Sequence, residues 1–121
     1  MSDKEILFKA QVVRLILKNQ TEEAIRALSA HYGVTVPDLK VGLPKKNRRK
    51  IACYAAETKT IHVGSRVELQ DPFVILHEFY HHLRMHGRKH LGTEKHADRF
   101  AGDFIEVYQT FSKYSFTVSY K

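Results

Sequence analysis

The chain has 121 residues, 43% of them hydrophobic and 27% charged, which predicts one globular domain with one modest core spanning residues 1–121. Its formal net charge is +7, which is compatible with a partner that carries phosphate groups. There is no apolar run long enough to cross a membrane, no signal-peptide pattern at the start, and a single cysteine. We therefore expect a cytoplasmic protein without an intrachain disulfide.

The N-terminal third predicts two helices followed by an extended segment. Residues 3–18 place apolar side chains on one side, as an amphipathic helix does. Thr21 can cap a second helix that runs to about Tyr32 and ends at Gly33. Residues 34–41 look extended, and Pro37 suggests an edge strand or a bulge.

A basic cluster precedes the next two predicted strands. Residues 45–50 read Lys-Lys-Asn-Arg-Arg-Lys, which can bind nucleic acid through phosphates, although we favour a solvated turn between strands. Residues 51–57 and 60–63 predict two strands joined by a tight turn. Cys53 lies in the first of them, where a small buried hydrophobe is expected.

The run His77-Glu78-Phe79-Tyr80-His81 is the sharpest motif in the chain. It reads H-E-x-x-H, and side chains four residues apart lie on the same face of a helix, so two imidazoles can hold one metal ion. Glu78 would then lie beside the open side of the ion as a general base. With eight His and eight Glu in the chain, a random shuffle would give about 0.03 copies of this pattern.

The residues around this motif predict a buried helix. Asp71 can cap it, Pro72 suits its first position, and Gly87 is a natural stop. Four apolar residues follow Pro72 without a break, so the helix should be buried on most sides. Charged and polar groups inside such a helix need partners, and a metal with a bound water would supply them.

A zinc site needs a third protein ligand. The long metzincin motif fails, because Gly87 stands where its third His belongs. A second helix over about 93–110 offers a better candidate, since Glu94 continues its apolar stripe toward the helix start and should face inward. One turn later, Asp98 can accept a hydrogen bond from a ligand His. His90 and His96 are the alternatives for the third ligand.

These two motifs resemble those of the gluzincins, zinc metallopeptidases whose second helix carries Glu-x-x-x-Asp. Glu94-Lys95-His96-Ala97-Asp98 fits that pattern, and the sequence around it also resembles that of the ImmA/IrrE family. The length and single-domain layout are most similar to the minigluzincins, which are minimal archaeal relatives. The resemblance covers roughly residues 50–110. It implies that the strand 60–63 forms the upper edge of the cleft, where substrate adds as an extended strand.

The tail, residues 111–121, alternates aromatic or apolar residues with polar ones. A final strand covering the core is one interpretation of this pattern. The other, which resemblance to the minigluzincins implies, is a latency segment that crosses the cleft near residues 61–63 and makes the protein a zymogen. Candidates for the group that stabilises the oxyanion are Tyr108, Tyr114 and His62.

The sequence thus predicts an α+β domain with N-terminal helices, a small antiparallel or mixed sheet, the H-E-x-x-H helix and a second ligand helix. Its expected function is that of a zinc-dependent endopeptidase in which His77, His81 and Glu94 bind Zn²⁺. Glu78 is the expected general base, and Asp98 is expected to accept a hydrogen bond from a ligand His. Two alternatives stay open: an ImmA/IrrE-like regulatory or nucleic-acid-associated zinc module, and a structural metal site without turnover.

Overall fold

The computed structural model describes residues 2–47, 49–86 and 92–119, with the backbone alone for 113–119. Its helices are α1 (Asp3–Leu17), α2 (Thr21–Tyr32), α3 (Arg66–Leu69), α4 (Pro72–His86) and α5 (Glu94–Ser119). Its strands are β1 (Asp38–Val41), β2 (Ala52–Ala55) and β3 (Thr60–Val63). Helices and a small mixed sheet are combined in one fold, so the α+β prediction is confirmed.

Local capping explains how the first two helices begin and end. The Glu5 N–H donates to the Ser2 hydroxyl at the start of α1. Asn19 turns the chain with φ +63°, and Gly33 ends α2 with φ +69°, a backbone region that glycine adopts without strain. The predicted cap at Thr21 is wrong: Thr21 lies inside α2, and its hydroxyl donates to the Leu69 carbonyl, which ties α2 to α3.

The three strands lie in the order β1-β3-β2, with β1 parallel and β2 antiparallel to β3. Pro37 directly precedes the edge strand β1, as predicted. The expectation that residues 60–63 form an edge is wrong, because β3 has a partner on each side. The short helix α3, between β3 and α4, was not predicted.

Hydrogen bonding shows which groups of β2 are free. The Gly64 N–H donates to the Ile51 carbonyl at 2.8 Å. Hydrogen-bonded pairs alternate along an antiparallel ladder, so Cys53 and Ala55 also bond β3, opposite His62 and Thr60. The backbone N–H and C=O groups of Ala52 and Tyr54 therefore point away from β3, toward the open edge of the sheet.

Helix α4 runs through the centre of the core. Asp71 caps it, because its carboxylate accepts the N–H groups of Phe73 and Val74 at 3.0 and 3.3 Å. Its core face packs Ile75, Leu76, Phe79 and Leu83 against the sheet and the other helices. The predicted apolar stripe of α5 is confirmed, since Ala97, Ala101 and Phe104 belong to the same core.

The strand interpretation of the tail is wrong for the part that the structure describes. Helix α5 continues without interruption to Ser119. Phe111 and Ser112 line a cavity with α1 residues such as Leu7 and Leu17. At about 1.5 Å of rise per residue, seventeen residues of helix carry Phe111 roughly 25 Å from Glu94. Residues 120 and 121 lie outside the described residues.

The basic cluster connects β1 to β2 as an exposed turn, with one 3-10 turn at Lys45–Asn47. The favoured interpretation of a solvated turn agrees with the described residues of the cluster, which leave out Arg48. In the part of the chain that the structure covers, no helix is both long and apolar enough to cross a membrane.

Candidate metal centre

Three potential ligand side chains converge between α4 and the start of α5. His77 and His81 lie one turn apart on α4, and their Nε2 atoms are 3.3 Å apart. The Glu94 carboxylate lies across both rings, with Oε2 2.8 Å from His77 Nε2 and Oε1 2.9 Å from His81 Nε2. These three residues lie close enough to bind one metal ion, as the sequence predicts.

The donor geometry fits a tetrahedral ion. Zinc bonds of about 2.0–2.1 Å separate neighbouring ligand atoms by roughly 3.3–3.4 Å. The two imidazole nitrogens, at 3.3 Å, already have this spacing, and the Glu94 oxygens are about half an ångström closer than it requires. A rotation of the exposed Glu94 side chain would open the cluster to that size.

Asp98 fixes the ring of His77. The His77 Nδ1–H donates to Asp98 Oδ1 at 2.8 Å, so the neutral ring presents the lone pair of Nε2 to the cluster. This is the role predicted for Asp98. Burial lowers the pKa of His81, the Glu94 carboxylate opposes that effect, and the charges of His77 and Arg84 add to it. A neutral His81 ring is the form that binds metal.

Glu78 is buried on the same helix and faces the cleft that contains the ligands. Burial raises the pKa of Glu78 to about 7; His77 opposes this rise, Glu94 adds to it and Lys50 opposes it. Glu78 does not belong to the ligand cluster. A carboxylate whose pKa lies near neutrality suits general acid–base catalysis, because it can accept a proton and release it again.

The cleft has a volume of about 460 Å³ and lies between α4 and the open edge of β2. Beside the ligands and Glu78, its lining includes Asn47, Lys50, Tyr54, Arg84 and Met85. The sequence did not identify Arg84 as a site residue, and it placed Lys50 only in the basic cluster 45–50 and not beside the metal ligands. Arg84 follows His81 by three residues, a spacing that puts both on one helix face and would have revealed it. A larger cavity, about 710 Å³, lies between α1 and α5, away from these ligands.

Tyr54 is part of a partly buried chain of hydrogen bonds. The His82 Nε2–H donates to the Thr35 carbonyl at 2.7 Å, which leaves Nδ1 as an acceptor for the Tyr54 hydroxyl at 2.6 Å. Burial raises the pKa of Tyr54 to about 12. The Tyr54 proton is therefore engaged, and the contact holds β2 against α4 beside the ligands.

The other candidates from the sequence lie elsewhere. Tyr108 lines a cavity with α1, so it cannot stabilise an oxyanion at the cleft, and His62 donates its Nδ1–H to the Gly42 carbonyl outside the cleft lining. His96 bonds Thr93 and is not in the ligand cluster. His90 and the Tyr114 side chain lie outside the described residues. Cys53 is buried, as predicted.

Glu94 differs from its prediction in one respect. The apolar stripe predicted an inward-facing side chain, yet the Glu94 side chain is 74% exposed. It lies at the mouth of the cleft, at the first residue of α5, and only its carboxylate meets the two rings. Exposure there leaves the carboxylate free to move as an ion enters.

Removal of one ligand should abolish metal binding. We expect the parent protein to retain one equivalent of zinc after dialysis, and His81→Ala to retain less than about a tenth of that, because two remaining ligands bind weakly. Metal analysis by mass spectrometry measures both. His96→Ala is the matched control and should keep its zinc. Loss of zinc from His96→Ala, with retention in Glu94→Ala, would show that the third ligand is His96.

In comparisons with known proteins, the chain matches no family model, no curated protein and no solved structure.

Proposed function

We propose that this chain is a zinc-dependent endopeptidase of the gluzincin type. The observation that carries the proposal is the position of Glu78, a buried carboxylate outside the ligand cluster that faces the same cleft as His77, His81 and Glu94. A structural metal site has no use for such a base. A bound zinc ion would lower the pKa of water toward neutrality and polarise the scissile carbonyl.

Proton transfer and positioning of the ligands are assigned to residues of the chain itself. Glu78, buried beside the ligands and outside their cluster, would accept a proton from the attacking water and pass it to the leaving amine. Asp98 keeps the Nδ1–H of His77 occupied and so holds the ring in the ligand tautomer. Tyr54 and His82 hold β2 in place beside the cleft.

Substrate would bind along the open edge of β2 and not along β3. The free N–H and C=O groups of Ala52 and Tyr54 line that edge, and an extended peptide would pair with them and pass over the ligands. Backbone pairing of this kind accepts many sequences, so an unstructured polypeptide is the expected class of substrate.

Zinc-loaded protein incubated with an unfolded polypeptide tests the proposal. We expect internal cleavage, seen as new peptide termini by mass spectrometry, that stops when a chelator removes the metal and returns when zinc is restored. Stable zinc binding without cleavage of several unfolded polypeptides would favour a structural site. Tight binding of duplex DNA or RNA without cleavage would favour the nucleic-acid module.

The substitution Ala52→Pro tests the substrate edge. Proline removes an N–H that points away from β3, so the ladder to β3 stays intact. Loss of one backbone hydrogen bond to the peptide, worth about 1 kcal/mol, should lower kcat/KM roughly fivefold. The control is Val41→Pro, which removes an equivalent free N–H at the opposite edge of the sheet, because Gly42 and Asp38 make the bonds to β3 there. An equal loss in both variants would contradict binding at β2.

The latency hypothesis finds no support in the described residues, because residues 111–119 continue α5 away from the ligands. Truncation after Ser112 should therefore leave kcat/KM unchanged within about twofold and keep Phe111 against α1. Kinetics on a fluorogenic peptide, with circular dichroism to check the fold, measure this. An increase of tenfold or more would restore the hypothesis.

A further inference from the structure

Two positively charged side chains line the cleft without a carboxylate partner. Lys50 reaches it from the turn before β2, and Arg84 from α4, one turn beyond His81. Among the described residues, neither forms a salt bridge; the described Lys and Arg ion pairs are limited to Lys9 with Asp103. Both cations are therefore available to a ligand in the cleft.

Arg84 is held over the site and does not extend into solvent. Its Nε lies 3.5 Å from His81 Nδ1. It also lies against the backbone of Gly92, where an added Cβ would be only 2.5 Å from Nη1 and 3.0 Å from Cδ and Cζ. Glycine at position 92 thus leaves the space that the guanidinium fills. The group presents several N–H donors in a planar fork, which matches a carboxylate.

The charges in the cleft add up to a positive field. The carboxylates that line it are Glu78 and Glu94, and Asp98 lies directly behind His77, so three negative charges would face one divalent cation. Lys50 and Arg84 add two positive charges, which leaves a net charge of about one positive unit around the cleft.

We propose that this cleft selects peptide segments carrying a carboxylate next to the scissile bond, and that Lys50 and Arg84 are the residues that determine this specificity. The inference rests on the proposed peptidase function and names its substrate class. The carboxylate can come from an Asp or Glu side chain or from a peptide C-terminus, and an experiment must separate these sources.

Matched fluorogenic peptides test the specificity. Each pair carries Glu or Gln beside the cleaved bond, and each is made with a free and with an amidated C-terminus. We expect amidated Glu peptides to have kcat/KM at least about tenfold above the Gln peptides at low salt, since a hydrogen bond to a charged group exceeds a neutral one. The ratio should shrink at about 0.5 M salt, because salt screens the charge of the exposed Lys50 side chain.

The substitutions Lys50→Gln and Arg84→Gln should each reduce the Glu/Gln ratio of kcat/KM severalfold. Because the result is a ratio within one variant, any change in the rate common to both peptides cancels. Arg84→Lys should restore part of the ratio, because it keeps the charge without the fork. Lys18→Gln, an exposed lysine outside the cleft lining, is the control and should keep the full ratio. A Glu/Gln ratio near one, or a ratio that survives both Gln substitutions, would overturn the assignment.

One further readout separates this inference from the peptidase proposal. Peptide binding to the zinc-loaded Glu78→Gln variant, followed by fluorescence anisotropy, needs no turnover. Preferred binding of Glu peptides, without cleavage by the parent, would support charge selection and refute the peptidase. Equal cleavage of Glu and Gln peptides would support the peptidase and refute charge selection. If only free C-termini are preferred, the recognised group is the terminal carboxylate, and selection of acidic side chains is refuted.

Discussion

Glu78→Gln should lower kcat for peptide cleavage by at least about a thousandfold, which is within the range that general acid–base groups contribute. Glutamine has nearly the same shape as glutamate but cannot take a proton from water at neutral pH. It also fits the buried position without a charge, so we expect no loss of stability. Steady-state kinetics on a fluorogenic peptide, together with zinc analysis of the same samples, measure the effect.

The zinc content separates a base from a ligand. Because Glu78 lies outside the cluster of His77, His81 and Glu94, the Gln variant should keep one equivalent of zinc. Glu57→Gln, at an exposed turn outside the cleft, is the matched control and should change neither activity nor zinc content. Parallel loss of zinc and activity in Glu78→Gln would mean that Glu78 binds the ion, and the proposed mechanism would be wrong.

The second large effect is expected in the core. Phe79→Ala should lower the free energy of unfolding by about 3–5 kcal/mol, the usual range for truncating a buried aromatic residue. Phe79 is fully buried on α4, between His77 and His81 in sequence but on the core face, where its ring packs near Tyr32 and His82. A domain of this size has about 5–15 kcal/mol in total, so little stability would remain.

Urea unfolding followed by circular dichroism measures this loss, with the slope m compared between variants. Val67→Ala is the control, because Val67 is 78% exposed and should change stability by less than about 0.5 kcal/mol. We also expect Phe79→Ala to weaken zinc binding, since α4 carries two of the three ligands. A loss below about 1 kcal/mol would show that the core around α4 repacks easily.

The sequence determined the features that depend on a few neighbouring residues. The pair His77 and His81 follows from helix geometry, and the helix itself from the Asp71 cap and its apolar run. Gly33 ends α2 for an equally local reason. The apolar stripe of α5 predicted that Glu94 and Asp98 lie on the turn that meets the histidines. It did not predict the exposure of Glu94, which depends on where α5 begins.

Tertiary structure alone decided the order of the strands, the course of the tail and the charge of the cleft. No local signal says that β3 pairs on both sides, because strand order depends on how the chain returns to the sheet. The tail alternates like a strand but continues α5, whose earlier turns pack on α1, and nine residues of alternation do not outweigh an established helix. Lys50 lines the same cleft as the ligands because β2 lies beside α4, and that contact joins residues far apart in sequence.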